Sequence, residues 1–352
     1  MTMPPLFLHI GAPKTGTTYL QSLMREQRKQ LRKNGMLVPG PKGRQKRAAR
    51  EFVQHGGSSR WASEQGPWGD LVSQVRGWDG PAVISNETFG ARLTDRHLAH
   101  LTADFAGREL HIVFTVRDLL RQLPAAWQEA VKNGSTLGFA DYVNLVSTPD
   151  SQGDEDKERR LWRAQDARQI LAKWSQTVAQ NHIHVVTVPQ RGAPSDLLWQ
   201  RFAGVLGIDP SQVDPTAVRP NVSLGNVETN VLRRVNQELM SGHDPMSAGD
   251  YIRFVKTPVA NGVLQFPGAR RPIHLTTEQS QWAAAESVRV ADELSTLGYD
   301  LVGDLDEMRP APAPTPTPYE DPDQPAAQEE RDAAITTLVG LIQRNAKSSE
   351  KD

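Results

Sequence analysis

Cysteine is absent from all 352 residues. That excludes a disulfide framework, a thiolate metal centre and a cysteine nucleophile, and it suits a reducing compartment. Also missing is any apolar run near the ~20 residues that cross a bilayer, so no membrane span is expected. Charge of one sign is not in excess: 40 Lys and Arg stand against 41 Asp and Glu, for a net charge of -1. A chain so balanced is not a general polyanion binder, and no nucleic-acid partner is expected. No internal repeat is visible. Strand signal starts at Leu6, which leaves no room for a secretory leader ahead of it, so the expectation is a cytoplasmic protein. Clusters with metal-ligand spacing are scarce as well. The nearest, His182-x-His184, falls on a strand where a structural role is expected, so no metal is expected.

The most informative stretch is Leu6–Leu20, LFLHIGAPKTGTTYL. Leu6-Phe7-Leu8-His9-Ile10 reads as a buried strand. The chain then breaks at Gly11-Ala12-Pro13, carries Lys14 and Thr15, and turns at Gly16 into Thr17-Thr18 and a helical pattern. Strand, glycine-bracketed loop and helix start make an anion cradle: glycines let the backbone approach, and successive N–H groups and the helix terminus point at the charge. The hydroxyls of Thr15, Thr17 and Thr18 can add donors. The nucleotide-triphosphate version of this loop has lysine directly after its second glycine. Here the glycine spacing is kept, but Thr17 takes that position and Lys14 sits inside the loop.

Further along, strands alternate with helical patterns. Helices are expected over Thr17–Lys33, His97–Phe105, Leu119–Lys132, Leu161–Ala179, Ser195–Leu206, Asn226–Met240 and Thr276–Leu297. Ala82-Val83-Ile84-Ser85 is the second strand, and Glu87 follows it. Glu109–Val116 is the third, running into Arg117-Asp118. His184–Val188 is the fourth, ending in Pro189-Gln190-Arg191-Gly192. A charged side chain just beyond a strand's carboxyl end lies where α/β sheets bind ligands. The pattern predicts an α/β fold with a mainly parallel sheet and helices on both faces, of the P-loop type. Ten Lys and Arg against one acid between Arg25 and Arg50 make a local basic face. It reads either as a solvated helix face or as a rim that draws in an anion. Trp61 and Trp68, in a polar Gly-rich stretch, are candidates for acceptor stacking or for satellite packing.

From Pro310 to Glu330 prolines and acids dominate, which predicts an extended tether. Beyond it, Ile335, Leu338, Val339, Leu341 and Ile342 form an apolar stripe at helical spacing. The expected layout is therefore a main domain over 1–307, a Pro-rich linker over 308–331 and a short amphipathic helix over 332–352. That helix is expected to dock on its own chain, on a second subunit or on another protein.

Pro13-Lys14-Thr15-Gly16-Thr17-Thr18 at a strand-to-helix junction resembles the signature of the P-loop sulfotransferases of the bacterial type. These use 3'-phosphoadenosine 5'-phosphosulfate (PAPS) as co-substrate and release adenosine 3',5'-bisphosphate (PAP). The resemblance implies that Gly11, Ala12, Pro13, Lys14, Thr15, Gly16, Thr17 and Thr18 hold the 5'-phosphosulfate. Lys14 would face the oxygen bridging phosphate and sulfate. Glu87 resembles the catalytic glutamate of the glycan-modifying branch. Arg117 resembles the arginine on the donor's 3'-phosphate. The family continues Arg-Asp-Pro and has a serine eight residues after the arginine; here Leu119 and Ala125 stand at those places. Gln122, Gln128 or Arg191 could supply the missing contact, and Arg191 is included among the donor-binding residues.

The activity so implied is sulfuryl transfer to a hydroxyl or amine of a glycan, glycolipid or small metabolite. Two other readings use the same residues. One is a nucleotide or small-molecule kinase, which the lysine placement disfavours. The other is a catalytically silent relative that binds partners through the tethered terminal helix.

Overall fold

The structure, a computed structural model, describes residues 3–41, 44–54, 66–91, 93–148, 166–218, 223–241, 246–265, 271–309 and 319–349. Trp61, Trp162 and the prolines between 310 and 318 lie outside that set.

Among the described residues five strands form one sheet: β1 (Pro5–His9), β2 (Ala82–Ser85), β3 (Glu109–Val116), β4 (Ile183–Thr187) and β5 (Asp300–Val302). Their order is β2-β1-β3-β4-β5 and every pairing is parallel. The fold is thus the α/β parallel sheet that the sequence pattern predicts. The sequence reading contains four strands and misses β5, because three residues with two of them exposed carry no apolar run to detect.

The helices labelled here are α1 (Thr17–Glu26), α2 (Arg28–Lys33), α3 (Arg44–Gln54), α4 (Pro67–Arg76), α5 (Thr88–Ala91), α6 (Asp95–Asp104) and α7 (Leu119–Lys132). They continue as α8 (Phe139–Ser147), α9 (Ala167–Trp174), α10 (Leu197–Val205), α11 (Asn226–Met240), α12 (Thr277–Thr296) and α13 (Ala327–Ser349). The single helix expected over Thr17–Lys33 is divided at Gln27, whose N–H closes the first segment on Leu23. Helix α6 starts two residues before the expected His97. Thr94 accepts from the His97 N–H and the His97 ring returns a bond to the Thr94 N–H, a reciprocal cap that sets the true start.

Alternation along the strands covers the sheet on both faces. Leu6, Leu8, Ile84, Ile112, Phe114 and Val185 face one apolar layer, with Ala48 and Phe52 of α3, Trp68 of α4, Leu101 of α6 and Trp174 of α9. Phe7, Val83, Val113 and Val186 face the other, with Leu20, Leu23 and Met24 of α1 and Trp199 and Phe202 of α10. Trp68 therefore belongs to the core. It is buried, its indole N–H donates to Asp104 at 2.7 Å, and its ring packs on Phe52 and Phe105.

The chain divides into two compact units. The first, Met1–Leu119, Arg160–Asn221 and Ala284–Pro310, contains the sheet; the second comprises Leu120–Arg159, Val222–Ala283 and Ala311–Asp352. The second unit is organised by buried polar contacts. Asn236 donates to the carbonyls of Val131 and Ser135, and the Tyr251 hydroxyl donates to Asn236 Oδ1 at 2.7 Å. The described end of the expected tether is held there: Asp323 accepts from the first N–H groups of α8, Phe139 and Ala140, at 2.6 and 2.9 Å. A carboxylate at a helix N-terminus satisfies donors that have no intrahelical acceptor. Helix α13 packs against α11 and the π-helical stretch Tyr251–Val263. It uses a polar edge, with Glu330 paired to Arg234 and Glu329 to Arg271, and leaves Ile335, Leu338, Val339 and Ile342 exposed.

Phe114 in the central strand is fully buried. Phe114→Ala is expected to cost about 3–5 kcal/mol through lost burial and a residual cavity. Urea denaturation checks this as a fall in midpoint with an unchanged slope.

Candidate functional site

The site is built where the strand order reverses. The strand after β1 pairs on one side of it and the next on the other, so the carboxyl end of β1 lies where the crossovers diverge, beside β3. Ligands of open α/β sheets bind at such a switch point. The loop 10–16 leaves β1 there and delivers the N-terminus of α1.

Two of its residues have left-handed backbone: Lys14 at φ 70° and Gly16 at φ 85°. Lys14 is the one non-glycine residue with positive φ among those described. That conformation costs a side-chain-bearing residue about 1–2 kcal/mol and is retained where surroundings impose it. Here the Arg117 guanidinium supplies the constraint, donating from Nη1 to the Lys14 carbonyl at 3.1 Å. Gly11 is required for another reason. A Cβ there would lie 2.1 Å from Thr115 Oγ1 and 3.0 Å from the Thr115 backbone nitrogen.

The three threonines of the loop divide their duties. Thr15 is fully buried; its hydroxyl donates to the Ala12 carbonyl at 2.5 Å and lies 2.6 Å from Thr115 Oγ1. It braces the loop from inside, so its side chain is not the anion donor that the sequence alone suggests. Thr17, also buried, donates to Glu87 Oε1 at 2.6 Å. Thr18 is exposed in the first turn of α1, where N–H groups have no intrahelical acceptor.

The contact between Thr17 and Glu87 brings the second strand's carboxylate to the loop. Glu87 follows β2, whose terminal Ser85 pairs in register with His9 of β1. Behind it lies a residue that sequence reasoning assigned to the strand alone. His9 is buried, its Nδ1 is 2.7 Å from Ser85 Oγ, and its Nε2 has no hydrogen-bond partner among the described residues. Burial pushes its pKa down to about 4, with the Glu87 carboxylate partly opposing. The only available sequence signal was a polar residue inside an apolar strand directly before the loop.

Lys14, Glu87 and Arg117 are thus gathered at one edge of the sheet, through Thr17 and through the Lys14 carbonyl. Gly11, Ala12, Pro13, Thr15, Gly16, Thr17 and Thr18 form the loop between them. Arg191 lies exposed beyond the carboxyl end of β4, on the same edge of the sheet. Of the other residues considered for the 3'-phosphate, Gln122 is buried in α7, and Gln128 donates to the Leu224 carbonyl at 2.6 Å within the second unit. The strongest chemistry of the assembled group is anion binding beside a carboxylate.

Two measurements check this description. In the folded state His9 binds a proton only near pH 4, and unfolded it does so near 6.5. The stability it contributes is therefore complete above pH 6.5 and is lost as pH falls toward 4. The loss is on the order of 3 kcal/mol. It should appear in wild-type urea midpoints across that range and be absent from the profile of His9→Leu. Thr15→Val, which leaves the Ala12 carbonyl without its donor, is expected to cost about 1–3 kcal/mol by the same assay.

No protein-family model and no curated protein matches this chain. Among solved structures it is similar to a sulfotransferase from Alicyclobacillus acidocaldarius, with 13% identity, a TM-score of 0.41, and coverage of 72% of this chain and 100% of that one. It is also similar to the sulfotransferase domain from the curacin biosynthetic pathway, with 14% identity, a TM-score of 0.35, and coverage of 86% of this chain and 100% of that one.

Proposed function

We propose that this protein is a sulfotransferase that moves a sulfuryl group from PAPS to a hydroxyl or amine of a glycan, glycolipid or small metabolite. The observation that carries the reading is the Thr17 hydroxyl bound to Glu87 Oε1 at 2.6 Å. It sets a carboxylate against an anion-binding loop whose lysine lies inside the loop. A kinase of the same architecture needs its lysine directly after Gly16. Thr17 stands there, with its hydroxyl engaged by Glu87.

Each residue then has a task. The loop N–H groups, the Thr18 hydroxyl and the N-terminus of α1 hold the 5'-phosphosulfate. As the bond from sulfur to the bridging oxygen breaks, its electron pair stays on the departing phosphate, where Lys14 offsets the growing charge. The acceptor oxygen or nitrogen forms the new bond to sulfur, and its proton passes to Glu87. Arg117, with Arg191, answers the donor's 3'-phosphate; a guanidinium suits that group because its donors form a planar fork. Such catalysis is chiefly positioning and electrostatics, and no metal ion enters it.

Isothermal titration with adenosine 3',5'-bisphosphate in magnesium-free buffer is the direct test. Binding is expected, with a loss of at least ~10-fold in Lys14→Ala, whose charge-assisted contact is removed. Glu87→Gln, which keeps an acceptor for Thr17, is expected to lower donor turnover by about 100–10,000-fold. The absence of binding ends the proposal. Binding of ATP that requires magnesium favours the kinase, and turnover unchanged in Glu87→Gln removes that residue from its role.

A further inference from the structure

At the amino end of the sheet, across the strands from the phosphate loop, lies a cluster that the proposed reaction does not use. Glu109 and His111 stand on β3, and His182 lies in the 3-10 turn directly before β4. His111 Nε2 is 3.4 Å from Glu109 Oε2, and His182 Nε2 is 3.6 Å from Glu109 Oε1. One ligand atom from each residue lies within 4.8 Å of the others. We propose that Glu109, His111 and His182 form a binding site for a divalent transition-metal cation of the zinc class.

Three observations support this. The first is distance. Zinc bonds to imidazole nitrogen and carboxylate oxygen are ~2.1 Å long, so the edges of a tetrahedral shell are about 3.4 Å. Each imidazole Nε2 lies near that distance from one oxygen of Glu109, His111 from Oε2 and His182 from Oε1, so the carboxylate faces both rings.

The second is the direction of the hydrogen bonds behind the cluster. Asp300 Oδ2 lies 2.6 Å from His184 Nδ1, and an ionised carboxylate only accepts, so that nitrogen carries the hydrogen. In the neutral ring His184 Nε2 is then an acceptor. It lies 2.9 Å from His111 Nδ1, which donates to it when both rings are neutral. In that tautomer the lone pair of His111 is on Nε2 and faces Glu109. A lone pair set against a carboxylate repels it unless a positive charge lies between them. A single cation answers this edge and the His182 edge together. The relay from Asp300 through His184 to His111 is also the outer support that fixes the tautomer of a ligating imidazole.

The third is access. The Glu109 side chain is 43% exposed and that of His182 is 26% exposed, while His111 is more enclosed at 14%. An ion can enter from solvent, and a water can complete the shell. Two imidazoles and one carboxylate suit zinc, copper or nickel better than magnesium or calcium. The ion would tie β3 to the turn that launches β4.

The test is calorimetric titration of the EDTA-treated full-length protein with zinc chloride. One ion per chain is expected, with a melting temperature raised on the order of 5 °C under saturating zinc. His182→Ala and Glu109→Gln, both at partly exposed positions, should each weaken binding by at least ~10-fold. Asp300→Asn, which touches no ligand atom, should weaken it about 10–100-fold. His100→Ala, on α6, should leave it unchanged. Tetrahedral cobalt absorption in the wild type and its loss in His182→Ala give a second readout. Zinc binding weaker than ~0.1 mM, or equal binding by the wild type and by folded His182→Ala and Glu109→Gln, overturns the proposal. Magnesium bound in preference to zinc overturns it equally. None of these results bears on binding of the adenosine bisphosphate at the other end of the strands.

Discussion

The parallel pairing of β1 with β3 is the constraint on which the site depends. Pro5–His9 align with Glu109–Val113, so β3 continues past the end of β1 and Arg117 stands beside the loop that β1 releases. Its bond to the Lys14 carbonyl then holds a left-handed residue that the loop would otherwise resist. The close approach of Thr115 to Gly11 belongs to the same pairing. A loop pressed this tightly onto a neighbouring strand has little freedom to rearrange.

A second layer lies behind the loop. Thr17, Glu87, His9 and Ser85 come from α1, the turn after β2, β1 and β2 itself. Thr17 donates to Glu87, and Ser85 Oγ is hydrogen-bonded to His9 Nδ1. The His9 ring is too buried to charge easily, so near neutral pH Glu87 has a neutral imidazole beside it.

The two ends of the sheet differ in chemistry. At the carboxyl end, N–H groups, a lysine and arginines favour anions. At the amino end, Glu109, His111 and His182, supported by His184 and Asp300, favour a cation. Parallel strands make such a division natural, because every strand leaves the same edge and charged turn residues collect there.

Local pattern made part of this legible before any coordinates. Apolar runs at Leu6–Ile10, Ala82–Ser85 and Glu109–Val116 identified strands, because a buried parallel strand has no polar face. Glycine spacing and the helix start identified the loop, because both are consequences of backbone conformation within a few residues. Other features were hidden for stated reasons. Strand β5 is too short and too exposed to leave a signature. Thr15, Thr17 and Thr18 are equivalent as letters, and only packing against Thr115 and Glu87 separates brace, bridge and exposed donor. The apolar stripe of α13 was expected to seek burial, but ion pairs at Glu329 and Glu330 turn a different edge toward Arg271 and toward Arg234 of α11. His111 and His182 are 71 residues apart and meet because β3 pairs with β4. The amino-acid order alone thus determined the strands, the loop and the candidate charges, since these depend on near neighbours. Which hydroxyl faces in, which carboxylate reaches the loop and which histidines gather were decided by tertiary pairing, which brings residues together across distances no local pattern spans.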